Sequence, residues 1–356
     1  MTTLRVEAIL RIKMNNRVIV RRPFSGFLFV LGFLLLLEFT ARLILLPAGT
    51  VFSYRKLQCN QNHIVSSGLA QPSSLEGVAY ELRPSVRSCF KGGRFTTNAF
   101  GMRDKNYGIA KPENTFRIAV IGSSWAMGSE VDDEESYPKY LEQKLNAANP
   151  GKTIEVLNFG VEDYGLCDML GMLKGRALSF SLDVVIIEVT KHTTRIACDT
   201  RLSEGASLHA ENAALRPYLW YSLTRWLNIR LLGFGRPHRR WLDQDSERVQ
   251  NIIKAYATIK ELQRRYEFPV FVLYLDVLAA EKDSTRYYLQ RSEQMAKFFG
   301  FGHIDGVSLF QSLSARELQK KYYGEYHPNA EGNALIAEKI FQTLAAHGIP
   351  PPQNPA

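Results

Sequence analysis

The sequence predicts an α/β fold, a parallel sheet of about five strands with helices on both faces, preceded by one transmembrane helix. Three observations predict it. Short, largely apolar runs recur at 117–121, 153–159, 184–189 and 270–275, with a briefer one at 302–305, and strands apolar toward both faces belong to sheets covered on both sides. Segments with apolar residues at helical spacing separate or follow these runs, the alternation of a parallel sheet with crossover helices. A long uncharged segment comes before all of them.

That first segment, 24–37, is apolar apart from Ser25 and two glycines. Continued through Leu46 it is long enough to span a bilayer, which takes roughly 20 helical residues. Glu38 and Arg42 stand four apart, so a helix puts them on one face where they can pair near the interface. Pro47-Ala48-Gly49 ends the segment. Ahead of it Arg5, Arg11, Lys13, Arg17, Arg21 and Arg22 face the single acid Glu7, and such a cationic cluster stays cytoplasmic. The expectation is a cytoplasmic basic tail at 1–23, a transmembrane helix at 24–46 and an exported remainder. A cleaved signal peptide and a buried core helix are the competing readings. The long basic n-region, Glu38 and Arg42 count against the first, and the charge asymmetry counts against the second.

Residues 47–115 read as a linker and N-terminal extension, rich in Gly, Ser, Pro and Asn and poor in periodicity. The α/β domain follows at 116–349. Its first strand is Arg117-Ile118-Ala119-Val120-Ile121; a helix is expected over 137–148, where Tyr137, Tyr140, Leu141 and Leu145 share a face. Strands at 153–159, 184–189, 270–275 and 302–305 follow, with helices over 163–178 and 330–346. Residues 200–265 exceed one crossover and read as a helical insertion over or beside the active edge, ending in a helix at 245–266. Trp220, Trp226 and Trp241 with Arg225, Arg230, Arg236, Arg239 and Arg240 could there meet headgroups or an acidic glycan, or form a plain solvated basic face.

Composition narrows the function classes. Of 356 residues 46% are hydrophobic and 22% charged, ordinary for a globular protein, and much of the net charge of +9 sits in the N-terminal tail. No nucleic-acid-binding module accompanies it, so no nucleic-acid partner is expected. The four cysteines fit an oxidising compartment; Cys59 with Cys89, or Cys167 with Cys198, could pair, and free buried thiols are the alternative. No C-x-x-C occurs, and His63, His209, His238, His303 and His347 show no ligand spacing; neither a metal nor a cofactor is expected.

Two motifs carry chemistry. Gly122-Ser123-Ser124 leaves the first strand, and Glu325-Tyr326-His327-Pro328-Asn329 precedes Gly332 and the last helix. A serine on the turn after a parallel strand stands where ligands bind, at the carboxyl edge of the sheet. A histidine with a nearby carboxylate can serve as its base, so the pair suggests ester chemistry. The order of residues and the lack of G-x-S-x-G argue against the α/β-hydrolase layout. Gly122–Gly128 lacks a phosphate-cradling glycine pattern, so nucleotide binding is a poor reading. The run Asp132, Asp133, Glu134, Glu135 reads as a solvated helix start.

At these positions the sequence resembles the SGNH (GDSL) hydrolase superfamily, in particular its membrane-anchored bacterial members found with cell-envelope polysaccharide machinery. Thr97-Asn98-Ala99-Phe100-Gly101-Met102-Arg103-Asp104 is similar to the N-x-x-G-x-R-D lead-in of such members. Residues 117–124 resemble the first block, and Gly128-Ser129-Glu130-Val131 and Tyr137-Pro138-Lys139-Tyr140-Leu141-Glu142 continue it. Asn158-Phe159-Gly160-Val161 resembles the second block and His327-Pro328-Asn329-Ala330-Glu331-Gly332 the last.

The resemblance spans roughly residues 97–345 and implies a flavodoxin-like sheet, the SGNH hydrolase fold, in a bacterial inner membrane protein whose catalytic domain is periplasmic or otherwise extracytoplasmic. It implies Ser124 as nucleophile, His327 as base and the Gly160 amide as an oxyanion donor. The family's Asp three before the histidine is Gly324 here, which leaves Glu325 as the nearest carboxylate. The family's Gly-Asp-Ser is Gly-Ser-Ser, and its Asn after the third strand is replaced by Thr190-Lys191-His192-Thr193. His192 or Lys191 could donate to the oxyanion instead.

Each position has a structural alternative: Ser124 as an N-cap, His327 as a backbone-bonded loop residue, Glu325 as a solvated acid, His192 as a polar strand end. Two functions compete. One is an envelope-facing esterase or O-acyltransferase acting on an acylated glycan or lipid-linked saccharide. The other is a catalytically degenerate scaffold or glycan-binding protein of an envelope polysaccharide assembly, motivated by Ser123 and the missing Asn.

Overall fold

The computed structural model describes residues 21–45, 59, 63–65, 67–196, 246–276, 282–310, 313–323 and 327–350. The chain divides into two compact units, one of 1–57 with 214–237, the other of 58–213 with 238–356. In the first unit helix α1 (Arg21–Leu45) is 25 residues long, with side chains described for 26–40. Phe27, Phe29, Leu35 and Leu36 are exposed. Among the described residues no helix is long and apolar enough to cross a membrane, so the expected transmembrane helix at 24–46 is not matched by any of them.

The second unit opens with two short antiparallel hairpins, β1 (Ala70–Pro72) with β2 (Tyr80–Leu82) and β3 (Arg87–Phe90) with β4 (Gly93–Thr96). Lys91 and Gly92, at φ 47° and 86°, make the β3–β4 turn a two-residue connection whose left-handed backbone suits the strand twist. Cys59 and Cys89 form a disulfide. Cys167 is also disulfide-bonded; Cys198, the other residue considered for that bond, lies outside the described residues. Over the described residues from 63 onward the segment expected as linker and N-terminal extension carries these hairpins, with Ile64, Leu69, Tyr80, Leu82, Phe90 and Phe95 buried in the core. Strands of three and four residues are too short to leave a period in the sequence.

The main sheet has strand order β6 (Thr153–Asn158), β5 (Thr115–Ile121), β7 (Val184–Thr190), β8 (Val270–Leu275), β9 (Gly302–Asp305), with every pairing parallel. Counted along the chain this is the order 2-1-3-4-5, the flavodoxin-like arrangement, whose switch point lies where the winding reverses. Alternate residues of β5 and β7 face opposite sides. Ile118, Val120, Val184 and Ile186 pack with Tyr137, Leu141 and Leu145 of α3 (Tyr137–Ala148) and Ile336, Ile340 and Leu344 of α9 (Ala330–Ala346). Ala119, Ile121, Val185 and Ile187 pack with α4 (Leu166–Gly175), α6 (Ser246–Tyr266) and α7 (Lys282–Phe299). Each fully buried Leu or Ile contributes about 1.5–3 kcal/mol over an exposed one.

Strands and helices fall close to the expected spans. Helix α4 begins three residues later than expected because Asp163, at φ 61°, holds a left-handed turn. The helix expected as part of the 200–265 insertion is instead the crossover between β7 and β8: Ile252, Ala255, Tyr256 and Ile259 lie in the core beneath the sheet. The rest of that segment, with its tryptophans and arginines, lies outside the described residues.

Candidate active site

Strand β5 ends at Ile121, and the chain turns through Gly122 and Ser123 into α2 (Ser124–Met127). The turn is tight. A Cβ on Gly122 would come within 2.7–2.9 Å of Ala126 Cβ and the Glu188 side chain. Glu188, on β7 opposite the turn, is fully buried. It accepts the Ser123 N–H at 2.9 Å, the Ser123 hydroxyl at 2.6 Å and the Tyr137 hydroxyl at 2.9 Å. Burial pushes the Glu188 carboxyl above its ordinary range, and the Ser123 and Tyr137 bonds oppose that rise. Ser123 thus donates to a buried acid where an Asp would set two carboxylates against each other.

Ser124 stands at the switch point of the sheet. Its Oγ lies 2.9 Å from His327 Nε2. His327 is buried, and its Nδ1 lies 2.8 Å from Glu130 Oε1, while its backbone N–H points at Glu130 Oε2 at 3.4 Å. The side chains of His327 and Glu130 are each 10% exposed, so the pair is largely shielded from water. Glu130 lies in the loop that leaves α2, at φ 71°, two residues after Gly128 at φ 81°. These two left-handed residues reverse the chain and turn the Glu130 side chain back toward the nucleophile's helix.

The His327 loop is held from three sides. Tyr323 bridges to Pro328 and packs edge-on against Trp125 at 5.8 Å. Asn329 caps α9 by accepting the Gly332 N–H at 3.0 Å. Asn333 donates to the Pro328 carbonyl at 2.8 Å and accepts the Tyr137 N–H at 3.0 Å. A Cβ at Gly332 would sit 2.3 Å from the Tyr322 carbonyl oxygen, which accounts for that glycine.

The structure therefore brings Ser124 and His327 together and adds Glu130, which the sequence reading had placed only in a matching block. Glu325, the carboxylate expected from sequence, lies outside the described residues; the acid on Nδ1 is Glu130. The one signal for it was an acid six residues after the serine behind a glycine, Gly128-Ser129-Glu130. The Gly160 amide donates to Asn158 Oδ1 at 2.9 Å, so here it has a partner other than an oxyanion. Glycine is required at 160 because a Cβ would lie 2.3 Å from Met127 N. His192 Nε2 faces Asp163 Oδ1 at 3.2 Å, and the Lys191 ammonium lies 5.9 Å from the Tyr288 ring centre. The Ser124 amide, first in α2, is one of the N–H groups a helix start leaves without an intrahelical acceptor.

The acids expected at a solvated helix start do begin a helical turn, with Asp132 and Glu134 exposed, but two of them also hold the β4 hairpin. Asp132 accepts the Arg94 N–H at 2.6 Å, and Asp133 accepts the Thr96 N–H at 3.0 Å and hydroxyl at 2.8 Å. Among the described residues the grouping with metal-like spacing is His63, Glu162 and Asp163. It fits a cation poorly: Glu162 is bound by the Lys91 ammonium through one oxygen and by the Ile64 N–H, at 2.6 Å, through the other. Burial raises the Asp163 carboxyl, but His192 and His63 outweigh it and hold it far below the usual carboxylate range. The Asp163 bond in turn raises the His63 imidazole.

No protein-family model matches the sequence, and no curated protein matches it. Solved structures do. The chain is similar to an α/β hydrolase enzyme from the metagenome of Lake Arreo at 13% identity and TM-score 0.43, covering 69% of this chain and 98% of that one. It is similar to a protein described as lipolytic, of the G-D-S-L family, from Desulfitobacterium hafniense, at 16% identity and TM-score 0.41, over 64% and 99%. It is similar to an acetylxylan esterase from Geobacillus stearothermophilus at 13% identity and TM-score 0.40, over 67% and 96%.

Proposed function

We propose that the chain is a serine esterase or O-acyltransferase of the SGNH type, working through Ser124, His327 and Glu130. The observation that carries this is the relay of two short contacts, Ser124 Oγ to His327 Nε2 at 2.9 Å and His327 Nδ1 to Glu130 Oε1 at 2.8 Å. Ser124 Oγ attacks the acyl carbonyl and its proton passes to Nε2. Glu130 accepts the Nδ1–H bond and stabilises the imidazolium that forms. The tetrahedral intermediate places its negative oxygen near the Ser124 N–H. The Gly160 N–H joins it if its bond to Asn158 is given up, and Lys191 and His192 are the charged alternatives. The leaving alcohol takes the proton from Nε2, and water or a sugar hydroxyl then releases the acyl group by the same steps in reverse.

The setting is proposed on sequence features and one structural one. The basic tail and the uncharged segment 24–37, with the disulfide Cys59–Cys89, suit a single-pass protein of a bacterial inner membrane with its α/β domain in an oxidising periplasm. The substrate class is an O-acylated glycan or lipid-linked saccharide close to that membrane, alongside envelope polysaccharide machinery. A second reading, a degenerate glycan-binding scaffold, is favoured by the Gly160 amide being bonded to Asn158 and by His192 facing Asp163. Covalent labelling of the purified full chain with a fluorophosphonate separates the two. The esterase reading expects labelling that Ser124→Ala abolishes and His327→Ala impairs; a folded wild type that never labels supports the scaffold. A reporter fused after Ala356 should be active only outside the cytoplasm, and cytoplasmic activity would overturn the anchor.

A further inference from the structure

We propose that Arg103, from the N-x-x-G-x-R-D segment before the sheet, is a positioning residue for the reaction: its guanidinium fixes the backbone that presents Glu130 to His327. The proposal rests on the Ser-His-Glu reading of the site.

Arg103 is 2% exposed. A guanidinium has five N–H donors in a rigid fork, and here five acceptors meet them. Nε donates to Asp133 Oδ1 at 3.1 Å. Nη1 donates to the Met127 carbonyl at 3.1 Å and to the Gly128 carbonyl. Nη2 donates to the Val131 carbonyl at 2.7 Å and to the Arg94 carbonyl. Three of these carbonyls, at 127, 128 and 131, bracket Glu130 on both sides. The same guanidinium lies 4.9 Å from the Phe95 ring centre, which packs it from the hairpin side.

The loop needs such a brace. The Ser124 and Trp125 carbonyls accept the Gly128 and Ser129 N–H groups, but the Met127 carbonyl lies past the helical ladder, and Glu130 holds a left-handed φ that a non-glycine residue adopts only under local constraint. Without the fork the Gly128 carbonyl keeps only the long Val131 N–H bond at 3.4 Å, the Met127 and Val131 carbonyls lose the guanidinium, and the turn loses contacts that select this conformation. The neighbouring Asp104 braces the second block in parallel: it accepts the Asn158 N–H at 3.0 Å and pairs with Lys139. Lysine at 103 would keep the charge but offer its donors from a single point, so it could not reach acceptors on both sides of Glu130.

The test is a double-mutant cycle on the full chain, read as the fluorophosphonate labelling rate, with thermal unfolding followed in parallel. Arg103→Lys is expected to slow labelling by about tenfold or more, since a shift of about 1 Å in a catalytic group costs up to roughly 10² in rate. In a Glu130→Gln background the same change should cost less than about threefold, because its route to the base is already broken. Equal fold-losses in the two backgrounds would make Arg103 a stability residue only and overturn the proposal. So would a wild-type labelling rate in Arg103→Lys while Glu130→Gln is slow, which leaves the triad reading standing. A Glu130→Gln protein that labels normally defeats the triad reading itself, and this inference with it. If Arg103→Lys does not fold, Asp133→Asn weakens the acceptor at Nε, together with the Thr96 contacts, and should slow labelling a few-fold, again only when Glu130 is present; an equal effect in both backgrounds overturns the proposal.

Discussion

Replacing Glu130 by glutamine is the sharpest perturbation of this site, because it changes one charge and almost no volume. In wild type the carboxylate lies 2.8 Å from His327 Nδ1, with both side chains 10% exposed. When Ser124 gives up its proton, a unit positive charge forms on the ring about 4 Å from the carboxylate centre. At an effective dielectric of about 20 that attraction is worth about 4 kcal/mol, or roughly three decades in rate. Exposure to water trims the figure, and the wrong tautomer that an amide can impose on the ring adds to it. The expected loss is therefore about 10²–10⁴ in the acylation rate, with the fold retained. The assay is stopped-flow hydrolysis of an activated acetyl ester beside fluorophosphonate labelling, with Glu325→Gln measured in the same way. Glu325→Gln should stay within a few-fold of wild type. If Glu130→Gln keeps more than a third of the rate, or if Glu325→Gln alone abolishes it, the assignment of the acid is wrong.

Further outcomes follow from contacts away from the relay. Gly160→Ala drives a methyl to 2.3 Å from Met127 N and should destabilise the fold by about 1–3 kcal/mol, read from urea unfolding; an unchanged midpoint refutes the close packing of the second block on α2. Replacing Cys59 and Cys89 by serine opens a closure of 30 residues and should cost about 3.6 kcal/mol by chain entropy; no loss would mean the bond does not form. The Asp163 carboxyl is depressed from its ordinary 3.8, so its share of stability appears above that pH, while the raised His63 contributes below its ordinary 6.5 and loses that share as pH rises through its higher folded value. The melting-temperature gap between wild type and Asp163→Asn should then be widest near pH 5–6 and shrink above about pH 7. A gap constant from pH 5 to 8 would count against the imidazole pairing.

How much of this was legible in the sequence depended on whether the signal was periodic. The strands over 184–190 and 270–275 are apolar at almost every position and the helix at 137–148 carries its buried residues at helical spacing, so burial on two faces wrote itself into composition. Ser124 and His327 were legible because each follows a sheet strand or precedes a helix with a recognisable cap, and sheet geometry sends both ends to one edge. Glu130 was not legible. Its place depends on two consecutive left-handed turns, at Gly128 and at Glu130 itself, and nothing in the order of residues says which way a loop folds back. The extension was hidden for a different reason. It is held by long-range bonds such as the Ile64 N–H to Glu162 at 2.6 Å and the Tyr80 hydroxyl to the Glu162 carbonyl at 2.6 Å, between residues 98 and 82 positions apart, and no local pattern records such partners.

An acid on the nucleophile's own run, and not beside the histidine, has a physical consequence. With an acid three residues before the base, both would travel on one segment, and the serine alone would stay with the sheet. Here Ser124 and Glu130 sit on one short run tied to the sheet by Gly122, to the extension by Asp132 and Asp133, and to itself by the Ser129 N–H on the Ser124 carbonyl at 2.9 Å. Only His327 arrives from elsewhere. The relay thus assembles in a single docking step, the seating of one imidazole between two fixed oxygens, and the contacts that govern it are those of Asn333 with Tyr137 and Pro328. Cutting that staple with Asn333→Ala should weaken both imidazole contacts at once, because Asn333 bonds both the Pro328 carbonyl of the histidine loop and the Tyr137 N–H of α3. A variant that labels at the wild-type rate would show instead that the histidine is seated without Asn333, by the Tyr323–Trp125 contact and the Asn329 cap.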